Sequence, residues 1–291
     1  MTVAGAPPSA ARLSSGAAPL SLAGADGRAE IGFVFRDGVT RLAHLYQRTP
    51  LRVMFPRPGA GDPPTAVLVT TSGGLVAGDR MAIDIEAAAR AEAVVTTQAA
   101  EKVYRSTGAD CRIDVALRAG AGSWLEYMPQ ETILFQSARL RRRTRIERAA
   151  GARVMAGEIT VFGRKAHGEV VSEGFLRDAW EVRRDGRLVW ADALRLADDL
   201  AESLAAPAGF DGAIAVATFV YAADDAPARL DLARQLVEGP RAGATCIGDV
   251  LIARWLDRDA GRLRAAYGEF WSAFRAEVAG WPRRTPRVWQ I

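Results

Sequence analysis

Three stretches of this chain repeat one another at a spacing of about thirty residues: "IDIEAAARAEAVVTTQAAEKVY" from Ile83, "IDVALRAGAGSWLEYMPQETILF" from Ile113 and "RIERAAGARVMAGEITVFGRKA" from Arg145. Each reads as a strand, an Ala/Gly turn, a second strand and a polar corner. Alternation of apolar and polar residues within each strand gives it one buried face. A unit of this kind cannot enclose a core alone and does so by stacking on its neighbours. The repeat therefore predicts a mainly β chain: a layered, β-helix-like or solenoid-like stack of sheets.

The flanks extend this pattern. "EIGFVFRDGVTRLAHLYQRTPLRVMFPR" alternates around Asp37-Gly38, a hairpin signal, and "PRPGAGDPP" then breaks the chain before the short buried strand "TAVLVTT". A second hairpin is expected through Asp185-Gly186, and single strands in "GAIAVATFVYA" and "ATCIGDVLIARWL". Helices are expected only late. One carries Leu230, Leu232, Ala233, Leu236 and Val237 and stops at Gly239-Pro240. The other places Leu263, Tyr267, Phe270, Trp271, Phe274 and Val278 on one face and ends at Gly280 and Pro282.

The glycine-rich run "TTSGGLVAGDR" has the look of a phosphate loop but lacks its chemistry. Asp79-Arg80 stands where Lys and Ser/Thr would be needed, and an aspartate repels phosphate. The next residues alternate through Met81, Ile83 and Ile85 as a strand, so no helix N-terminus faces an anion. The glycines turn the chain between strands.

With 291 residues, 49% of them hydrophobic, the chain can bury a full core. Residues 1–28, rich in Ala, Gly, Pro and Ser with no signal-peptide core, are expected to form a disordered tail ahead of one β-rich domain over 29–291. No apolar run approaches the roughly 20 residues that cross a bilayer. Cys111 and Cys246 form no framework of pairs, which fits a reducing cytoplasm. The net charge is +4 and Lys102 and Lys165 are the only lysines, so the positive charge is almost all guanidinium, suited to carboxylate-bearing partners.

In "ARLRRRTRIER", Leu140, Thr144 and Ile146 share one strand face and Arg139, Arg141, Arg143 and Arg145 the other, a half-buried strand with a basic outer side. No aromatics interleave with the arginines, so nucleic acid is not the expected partner. A nucleophilic enzyme would have Ser72 or Cys111 to work with, but no G-x-S-x-G elbow and only two histidines. His44, within an alternating strand, is expected to be packed, and His167 to face solvent. A β-repeat adhesin would need secretion.

Taken in order, "TTSGGLVAGDR", "VVTTQAAEKVYRS", "WLEYMPQETILFQSA", "GEITVFGRKAHGE" and "PRVWQ" resemble the urease accessory protein UreD family, called UreH in some bacteria. The resemblance runs from about Ile31 to Ile291. Ala77 departs from the family's usual glycine, and Gln98 and Glu101 stand where Pro and Thr are more usual. The resemblance implies a non-catalytic scaffold with a β-helix-like fold and a few C-terminal helices. It also implies binding to apo-urease and UreF, recruitment of the GTPase UreG through UreF, and delivery of Ni²⁺ to the carbamylated-lysine dinickel site through an internal tunnel. No tightly bound cofactor is implied, only nickel in transit, for which weak carboxylate ligands suffice. Asp79, Glu131, Glu158 and Glu169, at strand corners within the family-like motifs, are the candidate contacts. The competing expectation is that such carboxylates cap turns or pair with arginines.

Overall fold

A computed structural model describes residues 24–290 of the chain. Of the tail expected over 1–28, the first 23 residues lie outside the described ones, and Asp26–Arg28 are already strand.

The chain alternates between two facing sheets. It opens with a hairpin, β1 (Asp26–Arg36) and β2 (Val39–Arg48), and then the antiparallel pair β3 (Leu51–Met54) and β4 (Thr65–Thr70). Three coils come next. The first is β5 (Arg80–Ala87), β6 (Glu92–Thr97) and the short β7 (Glu101–Val103); the second is β8 (Cys111–Ala119), β9 (Trp124–Met128) and β10 (Thr132–Leu134); the third is β11 (Arg139–Arg148) and β12 (Arg153–Phe162). The hairpin β13 (Glu173–Arg184) and β14 (Arg187–Asp199), helix α1 (Leu200–Ala205), β15 (Ala215–Ala222), α2 (Leu230–Leu236), β16 (Arg241–Ile247), β17 (Val250–Asp257) and α3 (Ala260–Ala279) complete it.

The front sheet has seven strands in the order β14-β13-β11-β8-β5-β1-β2. The back sheet has ten, running β16-β17-β15-β12-β9-β6-β4-β3, with β10 and β7 extending it beside β12. Successive coils pair in parallel, β5 with β8 and β8 with β11 in front, β6 with β9 and β9 with β12 behind. This is the expected solenoid-like stack. By contrast, the strands that end the main run of each sheet, β2, β14, β3 and β16, are antiparallel to their neighbours, while the short side branch ends on β7, parallel to β10.

The Ala/Gly corners have a steric cause. The loops 88–91, 120–123 and 149–152 lie one above another and continue the ladder, Gly120 N donating to Ala87 O at 2.8 Å and Ala149 N to Ala119 O at 2.9 Å. A Cβ on Gly120 would come within 2.6 Å of the Ala89 nitrogen. Small residues fit where the backbones stack, and the one long side chain at these corners, that of Arg90, is exposed.

One core fills the space between the sheets, and a second lies between the back sheet and α3. The central back-sheet strand β12 is therefore buried on both faces and loses the alternation of the front strands. All six residues expected on the inner face of α3 are buried, and Gly280 ends the helix in the left-handed conformation, φ 71°. Two expectations fail. "ATCIGDVLIARWL" is two strands, because Gly248, φ 58°, turns the chain back on itself. A helix also precedes the late ones: α1, which Asp199 caps by accepting from Glu202 N at 2.9 Å.

Gly157 marks the tightest approach of α3 to the back sheet. A Cβ there would lie 1.9 Å from the Tyr267 hydroxyl and 2.8 Å from the Thr218 carbonyl oxygen. Gly157→Ala is expected to cost about 1–3 kcal/mol by overpacking, which thermal denaturation reads as a drop of about 3–10 °C. The Tyr267 hydroxyl is buried and has no partner among the described residues, so adding Tyr267→Phe restores part of the loss. An equal drop in the double variant would place the strain elsewhere.

Candidate functional site

Arg142 breaks the apolar inner face of β11. It shares the parity of Leu140 and Thr144 and so points between the sheets, where it is 2% exposed. A guanidinium there must find partners for five N–H groups, since it cannot shed its charge. It finds all five. Nε and Nη2 clasp Asp178 Oδ1 and Oδ2 at 3.1 and 2.6 Å, Nη1 donates to Glu158 Oε2 at 2.7 Å and to Thr132 Oγ1 at 3.0 Å, and Nη2 donates to Thr160 Oγ1 at 2.9 Å. The fold delivers these groups in register: Arg142 pairs with Asp178 across β11 and β13, and Thr132 with Thr160 across β10 and β12.

Two carboxylates against one guanidinium leave a net negative charge in the interior. Burial pushes the Glu158 carboxyl up to about 7, Arg142 lowering it and Asp178 raising it further. Burial opposes charge on Arg142, but Asp178 and Glu158 hold its pKa above the ordinary value. The Tyr127 phenol, also buried, is raised well above its usual range by burial and then by Glu158.

Cavities adjoin this cluster on both sides. A pocket of about 200 Å³ opens beside Ser72, Gly73 and Gln98; a small one of about 40 Å³ lies among Tyr127, Thr132 and Arg142; and a large one of about 630 Å³ lies among Trp180, Phe210 and Trp255. The first two share Leu68, Thr70, Thr97 and Glu101 in their walls, and the second and third share Glu158. Carboxylates recur along the succession: Glu101 first, then Glu158, then Asp178 and Asp192. Glu101 accepts from the Thr70 hydroxyl, and burial raises its pKa.

Of the four carboxylates singled out in the sequence, Glu158 alone lines these cavities. Asp79 is a turn cap, its two oxygens accepting from Ala25 N at 2.7 Å and Val76 N at 2.8 Å. Glu131 pairs with Arg264 at 3.1 Å. Glu169 pairs with Arg164 at 3.0 Å and accepts from the Gln136 backbone N–H at 3.3 Å; the Arg164 hydrogen bond is the main reason its pKa is lowered. The four are not brought together, and among the described residues no group of three or more His, Cys, Asp or Glu side chains could hold a metal ion. His167 is exposed as expected. His44 is not packed: β2 is an edge strand, and the imidazole stands in solvent 3.0 Å from Glu30.

A second buried arginine locks α3 to the back sheet. Arg275 Nε donates to Glu126 Oε1 at 3.0 Å, and its Nη1 reaches Asp62 at 3.1 Å and the carbonyls of Pro282 and Arg284 at 3.3 and 3.2 Å. Glu126 also accepts from the indoles of Trp124 and Trp271 at 3.0 and 2.8 Å. The closing Trp289 inserts over β9, donating to Thr96 Oγ1 at 3.1 Å.

No described helix is long and apolar enough to cross a membrane. The family model of the UreD urease accessory protein matches residues 25–290. A urease accessory protein UreD of Magnetococcus marinus is 46% identical over 275 residues, covering 92% of this chain and 95% of its own. Proteins of the same name from Azorhizobium caulinodans and Xanthobacter autotrophicus are 43% and 45% identical, each over 91% of this chain and over 96% and 89% of their own lengths. A model spanning nearly every described residue, together with identity at this level over whole chains, assigns the protein to the UreD family of urease accessory proteins.

Proposed function

We propose that this chain is a non-catalytic scaffold of urease maturation in the cytoplasm, which binds apo-urease, holds UreF and through it UreG, and passes nickel between its two sheets. The carrying observation is the succession of cavities, each walled by at least one carboxylate, from the Ser72 corner to the Asp192 edge. A transit path needs ligands that are few and oxygen-based, so that a hydrated ion is admitted and released. Carboxylates spread along the cavities meet that need; a closed three-ligand site would retain the ion. The lack of a phosphate loop agrees with nucleotide hydrolysis residing in a partner.

Glu158→Gln keeps the volume and removes one charge at the narrowest cavity. Because the cluster carries an excess carboxylate, Arg142 keeps Asp178 and the fold is retained. Nickel per urease active site, measured in cells at limiting nickel, is expected to fall several-fold while UreF is still captured in a pull-down. Undiminished nickel in urease would remove Glu158 from the path; parallel loss of UreF capture would make it a structural residue.

A further inference from the structure

The Arg142 cluster stands between the small and the large cavity. Arg142 and Thr132 belong to the wall of one, Asp178 and Thr160 to the wall of the other, and Glu158 to both. A cation moving from one cavity to the other meets a fixed positive charge that cannot be neutralised by losing a proton. It also meets an attraction. Glu158 is 4% exposed, its hydrogen bond to Arg142 uses Oε2, and no partner for Oε1 is found among the described residues. The Glu158 carboxylate therefore borders both cavities while one of its oxygens is held by Arg142.

We infer that Arg142 is the displaceable counter-ion of a gate: its guanidinium closes the passage by occupying Glu158 and Asp178, and yields both carboxylates to a divalent cation that takes its place. The inference rests on the transit reading. Exchange of one cation for another keeps the two carboxylates compensated throughout, so neither of them is bared. The two threonine hydroxyls, which donate as well as accept, remain to orient the carboxylates while the guanidinium is away.

This assigns Arg142 a positioning and gating role that a purely structural brace would not share. A brace, once removed, leaves a weakened protein indifferent to metal. A counter-ion, once removed, leaves a vacancy that a metal ion fills. The test is thermal unfolding of the isolated full chain with nickel chloride and, as a control, magnesium chloride, whose ion gives up its water reluctantly. Arg142→Met is expected to lower the melting temperature, and nickel at about one hundred times its dissociation constant to return about 4–8 °C. Wild type shifts by much less, and Arg142→Met with Glu158→Gln does not respond.

Arg142→Lys serves where the methionine variant fails to fold. Lysine keeps the charge but offers three donors for five, so nickel binds it more tightly than wild type, by about tenfold in calorimetry. Loss of nickel transit should appear in Arg142→Met as retained nickel: the protein holds the ion and urease does not receive it. Melting temperatures of both Arg142 variants that ignore nickel would overturn the gate. A nickel response in these variants together with normal urease loading by Glu158→Gln would keep the gate and discard the delivery reading. The reverse pair of results would do the opposite.

Discussion

Replacing Arg275 by methionine is expected to destabilise the protein by about 3–5 kcal/mol, enough to send most of it to the insoluble fraction. The side chains of Arg275 and Glu126 are 4% and 1% exposed. Methionine approximates the arginine stem but strands the Glu126 carboxylate beneath α3 with only two indole donors. It also removes the donor shared by two carbonyls of the closing segment and leaves Asp62 with Arg284 as its remaining arginine. Adding Glu126→Gln removes the stranded charge while leaving an acceptor for one indole, so the double variant should recover part of the loss. Urea unfolding of the two variants measures this. A double variant no better than Arg275→Met would show that the contacts to Asp62 and the C-terminal carbonyls, not the buried charge, hold the helix down.

Glu158 predicts the shape of the stability profile against pH. Its carboxyl titrates near 4.5 outside these surroundings and at about 7 in the folded chain. Between those values the native state keeps a proton that the unfolded chain has lost. The stabilisation from that proton is complete below pH 4.5 and is lost as pH rises through 7, by about 3 kcal/mol. Glu158→Gln removes this fall. Denaturant unfolding at pH 5.5 and pH 8 should therefore show the variant gaining on wild type as pH rises. Parallel profiles would mean that Arg142 compensates both carboxylates fully and that no proton is taken up.

Much of this architecture is legible in the sequence because the coils repeat their alternating front strands and their four-residue Ala/Gly corners. The register between coils is not. Aligning Ile83, Ile113 and Arg145 suggests an even spacing, whereas Ile83 pairs with Val115 and Ile113 with Arg142. The first slip, of two residues, preserves which side chains face inward; the second, of three, exchanges the faces. Its cause lies at the opposite corner, where residues 104–110 separate β7 from β8 but only 135–138 separate β10 from β11.

The cluster was hidden for a related reason. In "RLRRRTRIER" the outer arginines are recognisable from alternation, and the same alternation places Arg142 inward beside Leu140 and Thr144. What it cannot supply are Asp178, brought alongside by a parallel strand 36 residues on, and Glu158, from the opposite sheet. Of the four carboxylates chosen at strand corners, three are held by a turn or a single arginine. Glu158 differs in lying inside β12 and facing the front sheet.

A stack of parallel coils has no natural length. Each terminal coil presents a ladder on which another could form, and a chain made only of such coils invites its neighbours to continue it into a fibre. Here the main run of each sheet ends on strands that run against their neighbours, β2 and β14 in front and β3 and β16 behind. A foreign coil whose strands run with the stack would lie antiparallel to these outermost strands, so it could not continue the parallel ladder from coil to coil. The hairpins thus act as end stops, fixing the number of coils and letting a protein built by repetition remain a finite particle.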